Sequence, residues 1–202
     1  MTQTNSNQNQ TGDERHAIAT YLSDMLALER HIAAPIDSQV GSEDHQAYPE
    51  AMTIFNKIKA FTANHITALE VQVKRVGASP ASGVKSAWAS MLGSGAAAVN
   101  QVRKTKVSKS LRDDYTALGL AAISYTMLHT TALGLGDSAT AQLAKRHLDD
   151  ITPVIVEISK TMPQVVLGEL KDDGENVQVT AAEVSKQQTG QSWSAQNTGS
   201  GN

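Results

Sequence analysis

The chain has 202 residues and a net charge of −3, with 40% hydrophobic and 18% charged residues, no cysteine and eight aromatic residues. The lack of cysteine excludes disulfide frameworks, thiolate metal sites and cysteine nucleophiles. No apolar run approaches the roughly 18 residues of a membrane-spanning helix, no signal peptide is recognisable, and the near balance of charges argues against a nucleic-acid-binding protein, so we expect a cytoplasmic protein.

Polar segments flank the part of the chain that carries a regular apolar pattern. Residues 1–12 are rich in Asn, Gln and Thr, and residues 171–202 are rich in Gln, Ser, Thr and Gly. Segments of this composition bury too little apolar surface to offset the entropy of ordering the chain. We therefore predict a disordered N-terminal segment, one packed domain over 13–170, and a flexible polar tail.

Within that domain, apolar residues recur at steps of three and four in four long stretches. This spacing places them on one stripe of a helix, so it predicts four helices that pack antiparallel as a bundle. Pro35 predicts an early end to the first helix and Pro153 a kink in the fourth, because proline removes an amide donor. The expected helices span 13–38, 47–76, 111–135 and 138–161.

The connections between these stretches indicate how the helices follow one another. Gly136 and Asp137 predict a tight antiparallel turn, since glycine can end one helix and aspartate can cap the next. Ser110 is the expected N-cap of the third helix. The long segment 78–109 contains one or two shorter helices and acts as a crossover, a feature of ferritin-like bundles. The predicted fold is therefore an all-α, ferritin-like four-helix bundle with a helical crossover and disordered termini.

Three polar residues occupy central positions on the apolar stripes. They are Glu29 on the first helix, His65 on the second and His129 on the third. A buried carboxylate is costly unless it is paired or bound to a metal. Such groups meeting inside a bundle could coordinate iron, manganese or zinc. The alternative is a buried network in which Glu29 accepts hydrogen bonds from His65, His129 or Tyr125.

A complete two-iron site is not predicted. Such sites use a Glu-x-x-His step on two helices, and neither His65 nor His129 has a glutamate three positions earlier. On the fourth helix Asp149 and Asp150 project nearer to solvent than to the apolar stripe, while His147 lies closer to the edge of that stripe. A site for one metal ion with fewer ligands, in which Asp149 or Asp150 is an outer ligand, is therefore kept as an alternative.

A basic segment lies between residues 103 and 112. We interpret it as a solvated loop, because acidic residues elsewhere nearly balance its charge and no aromatic residues alternate with the cations. The alternative is a contact with an anionic partner. The basic residues are Arg103, Lys104, Lys106, Lys109 and Arg112.

No stripe of surface residues indicates that copies of the chain assemble into a closed shell. A homodimer is the alternative that we keep, because two-fold dimers are the commonest oligomers of soluble proteins.

Three stretches resemble the ferritin-like superfamily, and within it bacterial stress-associated proteins of the YciE/YciF type. The similarity covers most of 13–165. In that family, acidic residues stand at the position of Glu29 and a histidine at that of His65. The stretches are LSDMLALERHI, FTANHITALEVQVKRVG and LRDDYTALGLAAISYTMLHTTALGLGDSATAQLAKRHLDDITPVIVEIS.

The resemblance also implies where ligands are missing. The family's remaining second-helix and third-helix carboxylates would fall near Ala68 and Ala121, and its fourth-helix acidic pair corresponds to Asp149 and Asp150. The implied protein is a stress-associated one with a depleted metal site, non-enzymatic or weakly metal-binding. The alternative is an iron- or manganese-binding protein with a rearranged site that includes His129.

Overall fold

The computed structural model describes the backbone of residues 4–77 and 106–194, and the side chains of residues 16–77 and 106–191. The described residues form helices and contain no strand, which confirms the all-α prediction. None of these helices combines the length and the apolar character needed to cross a membrane. The helices are α1 (Thr4–Gly41), α2 (Glu43–Gln46), α3 (Pro49–Arg75), α4 (Val107–Gly134), α5 (Ser138–Asp172) and α6 (Ala181–Ser194).

The four long helices α1, α3, α4 and α5 each pack against two of the others. Helix α1 lies against α3 and α4, and α5 lies against the same two helices. In each of these four pairs, contacts that lie further along one helix lie earlier in the other, so neighbouring helices are antiparallel. Consequently α3 and α4, which follow one another among the described helices, run in the same direction. The contacts are Glu29–His65 and Asp37–Lys59 between α1 and α3, Glu29–Tyr125 and Gln39–Asp114 between α1 and α4, Lys57–Glu157 and Arg75–Asp137 between α3 and α5, and Tyr125–His147 and Ser108–Glu169 between α4 and α5.

One apolar core fills the space between these helices. It consists mainly of Ile, Leu, Val and Ala, with Phe55, Phe61 and Tyr125 as its aromatic members. Fully burying one Leu or Ile side chain contributes about 1.5–3 kcal/mol, so this cluster is the main source of stability. Buried alanines such as Ala121 and Ala144 keep the helices close together.

The turn between α4 and α5 has the predicted form. Gly136 adopts a φ of 73°, a conformation that suits glycine, and the Asp137 side chain accepts a hydrogen bond from the Thr140 amide. The Arg75 guanidinium also pairs with Asp137, which ties the turn to the end of α3. These hydrogen bonds hold the pKa of the Asp137 carboxyl below its ordinary value, although its partial burial opposes the shift.

The predicted start of α4 at a Ser110 cap is wrong. The helix begins at Val107, and Ser110 is buried within its first turns. The reason is a long-range cap: the Glu169 carboxylate of α5 accepts a 2.9 Å hydrogen bond from the amide of Ser108 and another from its hydroxyl. A side chain distant in sequence therefore does what a local cap was expected to do.

The prolines do not end their helices. Helix α1 continues past Pro35 to Gly41, because Pro35 lies on the exposed side while Ile36 and Gln39 beyond it are buried. Helix α5 likewise continues through Pro153 and Pro163 as far as Asp172. The early end predicted at Pro35 and the end predicted near residue 161 are therefore wrong.

The termini also differ from their predictions. Helix α1 begins at Thr4 and so includes residues 4–12 of the segment expected to be disordered. The expected flexible tail contains α6, which packs against α5 and buries Ala182. The predicted helical crossover falls on residues 78–105, outside the described part of the chain.

Part of the basic segment can be located. Lys106 pairs with Asp173, and Arg112 pairs with Asp113 at 2.7 Å. Both cations are therefore engaged by acids of the same chain. Arg103 and Lys104 lie outside the described residues.

Candidate functional site

Glu29 lies at the centre of the helix packing, where its side chain is fully buried. Its Oε1 atom accepts a 2.6 Å hydrogen bond from the Tyr125 hydroxyl and lies 2.9 Å from Nδ1 of His65. Its Oε2 atom has no hydrogen-bond partner in the described part of the chain. A buried carboxylate oxygen without a donor is costly, so this atom marks a position where a further positive or donating group fits.

Glu29 belongs to a connected series of side-chain contacts to which all four long helices contribute. Nδ1 of His147 lies 2.8 Å from the Tyr125 hydroxyl, and Nε2 of His65 lies 3.2 Å from Oδ2 of Asp150. His65 and His147 are almost fully buried, whereas the Asp150 side chain is 57% exposed. The series therefore connects a carboxylate at the surface with one in the core.

Proton positions follow from the donors available. Because the Tyr125 hydroxyl donates to Glu29, its oxygen accepts from an Nδ1–H of His147, which leaves Nε2 of His147 with a free lone pair. Burial, with smaller contributions from His65 and Arg146, lowers the pKa of His147 to about 3, so this imidazole is neutral near pH 7. Burial and the nearby Glu29 raise the pKa of Tyr125 well above its ordinary value, so the hydroxyl keeps its proton.

The two imidazoles stack on each other next to the carboxylate. Their ring centroids are 3.8 Å apart and the planes differ by 12°. One ligand atom each of Glu29, His65 and His147 lies within 4.8 Å of the other two. Metal–nitrogen and metal–oxygen bonds of about 2.0–2.2 Å place ligand atoms roughly 3–3.5 Å apart, so these side chains would have to draw closer together to coordinate one ion.

The structure places the five predicted site residues differently. Glu29 and His65 are in contact, and Asp150 touches His65 from the surface. Asp149 is exposed and pairs with Lys145 at 2.6 Å, away from the cluster. His129 is only half buried, and the structure does not bring it together with Glu29 and His65.

His147 is the site residue that the prediction left out. The predicted stripe of α5 ran through Ala141, Ala144, Leu148, Ile151, Ile155 and Ile158. Four of these residues are buried, but Leu148 and Ile155 are only half buried, and the adjacent residues His147 and Val154 are buried in their place. On α4 the predicted stripe likewise included His129, whereas the buried residue there is its neighbour Leu128.

The positions where the resemblance implies further carboxylates hold alanine. Ala121 is fully buried on α4, and Ala68 is half buried on α3. Across residues 16–77 and 106–191, no second group of three potential ligands lies close enough to hold a metal ion. The described side chains therefore contain one group of three potential ligands, formed by Glu29, His65 and His147.

Comparisons with known proteins bear on the fold and not on the chemistry. Neither protein-family models nor curated proteins match the chain. Among solved structures, the chain is similar to a protein from Xanthomonas campestris pv. campestris, with 16% identity and a TM-score of 0.65. The similarity covers 80% of this chain and 99% of that one. At this identity the match extends to the all-α fold alone.

Proposed function

We propose that this protein binds a single divalent transition-metal ion through Glu29, His65 and His147 and has no two-metal oxidase activity. The observation that carries the proposal is the unpartnered Oε2 atom of Glu29, fully buried beside two buried imidazoles. An ion held there would supply the positive charge that this oxygen lacks.

The donor set suits particular metals. One carboxylate oxygen and two imidazole nitrogens match the preferences of iron, manganese and zinc, and no thiolate is available to favour softer ions. His147 is neutral, as a ligating imidazole must be, and its Nε2 carries a free lone pair. Tyr125 and Asp150 would orient the ligands through their contacts with Glu29 and His65.

A ferritin-like bundle is part of this proposal. It is supported by four long helices in which each contacts two antiparallel neighbours, while α3 and α4 run in the same direction. Two consecutive parallel helices need a long connection between their opposite ends, and 78–105 supplies a segment of suitable length. The stress-associated role rests on the resemblance of the quoted stretches.

The competing function is a metal-free structural network. It is favoured by the hydrogen bonds that already satisfy Oε1 of Glu29 and the hydroxyl of Tyr125. In that case His65 and His147 specify how the helices pack and bind nothing. Both functions use the same side chains, so a measurement with added metal is needed to separate them.

The test compares thermal unfolding of chelator-treated protein with and without Mn²⁺, Zn²⁺ or, under anaerobic conditions, Fe²⁺. A ligand present at about 100 times its Kd stabilises the folded state by about 2.7 kcal/mol. We expect at least one of the ions to raise the Tm of the wild type and of His129→Ala, the matched control, but not that of His147→Ala. Equal shifts in all three proteins, or none in the wild type, would contradict the proposal.

A further inference from the structure

The outer face of α4 carries no charged side chain over most of its length. Residues 115–136 contain no Asp, Glu, Lys or Arg, whereas the exposed residues of α3 and α5 include both lysines and carboxylates. The exposed face of a helix in a globular protein normally carries charged groups. Three large apolar side chains stand on this face instead, Ile123, Met127 and Leu133, which are 56%, 47% and 58% exposed. Such a face is suited to contact with another protein surface.

The exposed residues of α4 also follow a regular spacing. Lys109, Thr116, Ile123 and Thr130 recur at steps of seven, and each of them is exposed. Residues seven apart lie on nearly the same side of a helix, with a drift of about 20° per step. Asp137, one further step along the chain, lies in the turn after the helix and caps α5. Ile123 is therefore the middle of a stripe that begins at a lysine and ends at an aspartate.

The two ends of this stripe differ in charge. The ammonium group of Lys109 forms no ion pair with any residue that the structure describes. At the other end, the last turn of α4 has no basic residue to offset the negative end of the helix dipole. Asp137 adds a carboxylate there, which also pairs with Arg75. Two such stripes placed antiparallel would bring the cation of each beside the negative end of the other, whereas a parallel arrangement would bring the two cations together.

We propose that this face binds the same face of a second copy of the chain, with the two α4 helices antiparallel across a two-fold axis at Ile123. In a two-fold interface each contact occurs twice, so Ile123 meets Ile123 of the second copy and Thr116 meets Thr130. Lys109 meets the C-terminal end of the other α4, next to Asp137. The central part of this contact brings no like charges together, although each chain carries a net charge of −3.

The size of the face sets the expected affinity. Its length from Lys109 to Gly134 is roughly 40 Å and its width is that of one helix, about 10 Å. This footprint is about half of the roughly 800 Å² that each partner buries in a standard interface. We therefore expect a dimer that dissociates at micromolar concentrations. None of the residues that form the face is a proposed metal ligand, so the inference stands apart from the proposed function.

The first experiment is sedimentation velocity of the full-length, metal-free protein at concentrations from about 5 to about 500 μM, which bracket a micromolar Kd. We expect a shift from monomer to dimer as the concentration rises. Ile123→Glu places two carboxylates against each other at the axis and should weaken the dimer at least about tenfold. Val71→Glu, at a position on α3 that is 64% exposed, is the matched control and should leave the dimer unchanged. Equal losses in the two variants would overturn the inference, as would a wild type that stays monomeric because a different protein covers this face.

Cysteine cross-linking tests the register, since the chain has no cysteine of its own. A disulfide forms only when the two Cα atoms lie within about 7 Å. We expect Ile123→Cys to give a disulfide-linked dimer on mild oxidation, and Thr116→Cys to cross-link with Thr130→Cys but not with itself. Self-linked Thr116→Cys would indicate parallel helices and overturn the inference, as would Val71→Cys cross-linking as fast as Ile123→Cys. These substitutions decide the question alone if Ile123→Glu does not fold.

Discussion

The hydroxyl of Tyr125 on α4 donates a 2.6 Å hydrogen bond to Oε1 of Glu29 on α1. Hydrogen bonds to charged groups are shorter and stronger than neutral ones, and burial strengthens them further. This contact fixes one carboxylate oxygen and leaves the other, Oε2, without a donor. It therefore links α1 to α4 and leaves Oε2 as the oxygen of Glu29 that has no donor.

Removing the Tyr125 hydroxyl should destabilise the protein. Tyr125→Phe deprives Glu29 of a donor and His147 of an acceptor, so we expect a loss of about 1.5–3 kcal/mol in the free energy of unfolding, measured with urea. Tyr21→Phe, at a half-buried position on α1, is the control and should cost less than about 1 kcal/mol. Similar losses of unfolding free energy in the two variants would show that the hydrogen bond from Tyr125 to Glu29 contributes no more to stability than the hydroxyl of Tyr21 does.

Glu29→Gln should separate metal binding from folding. The substitution keeps the shape of the side chain but replaces an anionic ligand with a neutral amide, which binds transition metals weakly. We expect the variant to fold, as judged by circular dichroism, and to lack the increase in Tm that we predict metal ions to cause in the wild type. A variant that keeps the full metal-dependent increase would show that Glu29 is not a ligand.

Asp114 should make the folded state less stable as pH rises. Its pKa is raised by burial in the folded state from 3.8 to about 6, so its favourable contribution is complete below pH 3.8 and is lost as pH rises through about 6. Asp114→Asn should therefore be more stable than the wild type at pH 7.5, by up to about 3 kcal/mol, and the difference should vanish near pH 4. Urea unfolding at both pH values measures it.

The control for this pH effect is Asp113→Asn. The Asp113 side chain is 64% exposed and pairs with Arg112, so its removal should change stability by less than about 1 kcal/mol at either pH. The other titratable groups that line a pocket with Asp113 and Asp114 are His31, Asp44 and His45, and they are common to both variants. A difference between Asp114→Asn and the wild type that does not depend on pH would contradict the assignment.

Gly168 should tolerate no side chain. A Cβ atom there would lie 2.7 Å from Cε1 of Tyr48, whose ring is held by a 2.6 Å hydrogen bond from its hydroxyl to Asp172. Gly168→Ala should therefore lower the free energy of unfolding by about 1–3 kcal/mol, despite the higher helix propensity of alanine. Gly119→Ala, inside α4 with nothing within 4 Å of the added atom, should instead raise it by about 0.5–1 kcal/mol.

Periodicity was sufficient to predict four long helices and the burial of Glu29 and His65, because apolar steps of three and four hold over many turns. It was not sufficient to predict which of two adjacent residues on a helix faces the core. Leu148 and His147 are neighbours, and only the packing of α5 against α3 and α4 places His147 inside. His129 was placed on the apolar stripe of α4, where its neighbour Leu128 is the buried residue, because a helical wheel does not show where the neighbouring helix lies.

Helix ends were less predictable still. The start of α4 depends on Glu169, which is 61 positions from Ser108 in the chain. Helix α6 has little apolar surface of its own, and its packing against α5 could not be inferred from its polar composition. Local signals predict an end only when the capping group is local, as Asp137 is for α5.

The central claim is that the cluster of Glu29, His65 and His147 holds one metal ion. Its most direct test is the metal content per chain, measured by mass spectrometry after anaerobic loading with Fe²⁺, Mn²⁺ or Zn²⁺ and removal of excess ion. We predict one ion per chain for at least one of these metals in the wild type and in His129→Ala, and none in His147→Ala. Two irons per chain that are oxidised when oxygen is added, or no bound ion with any of the three metals, would contradict the account.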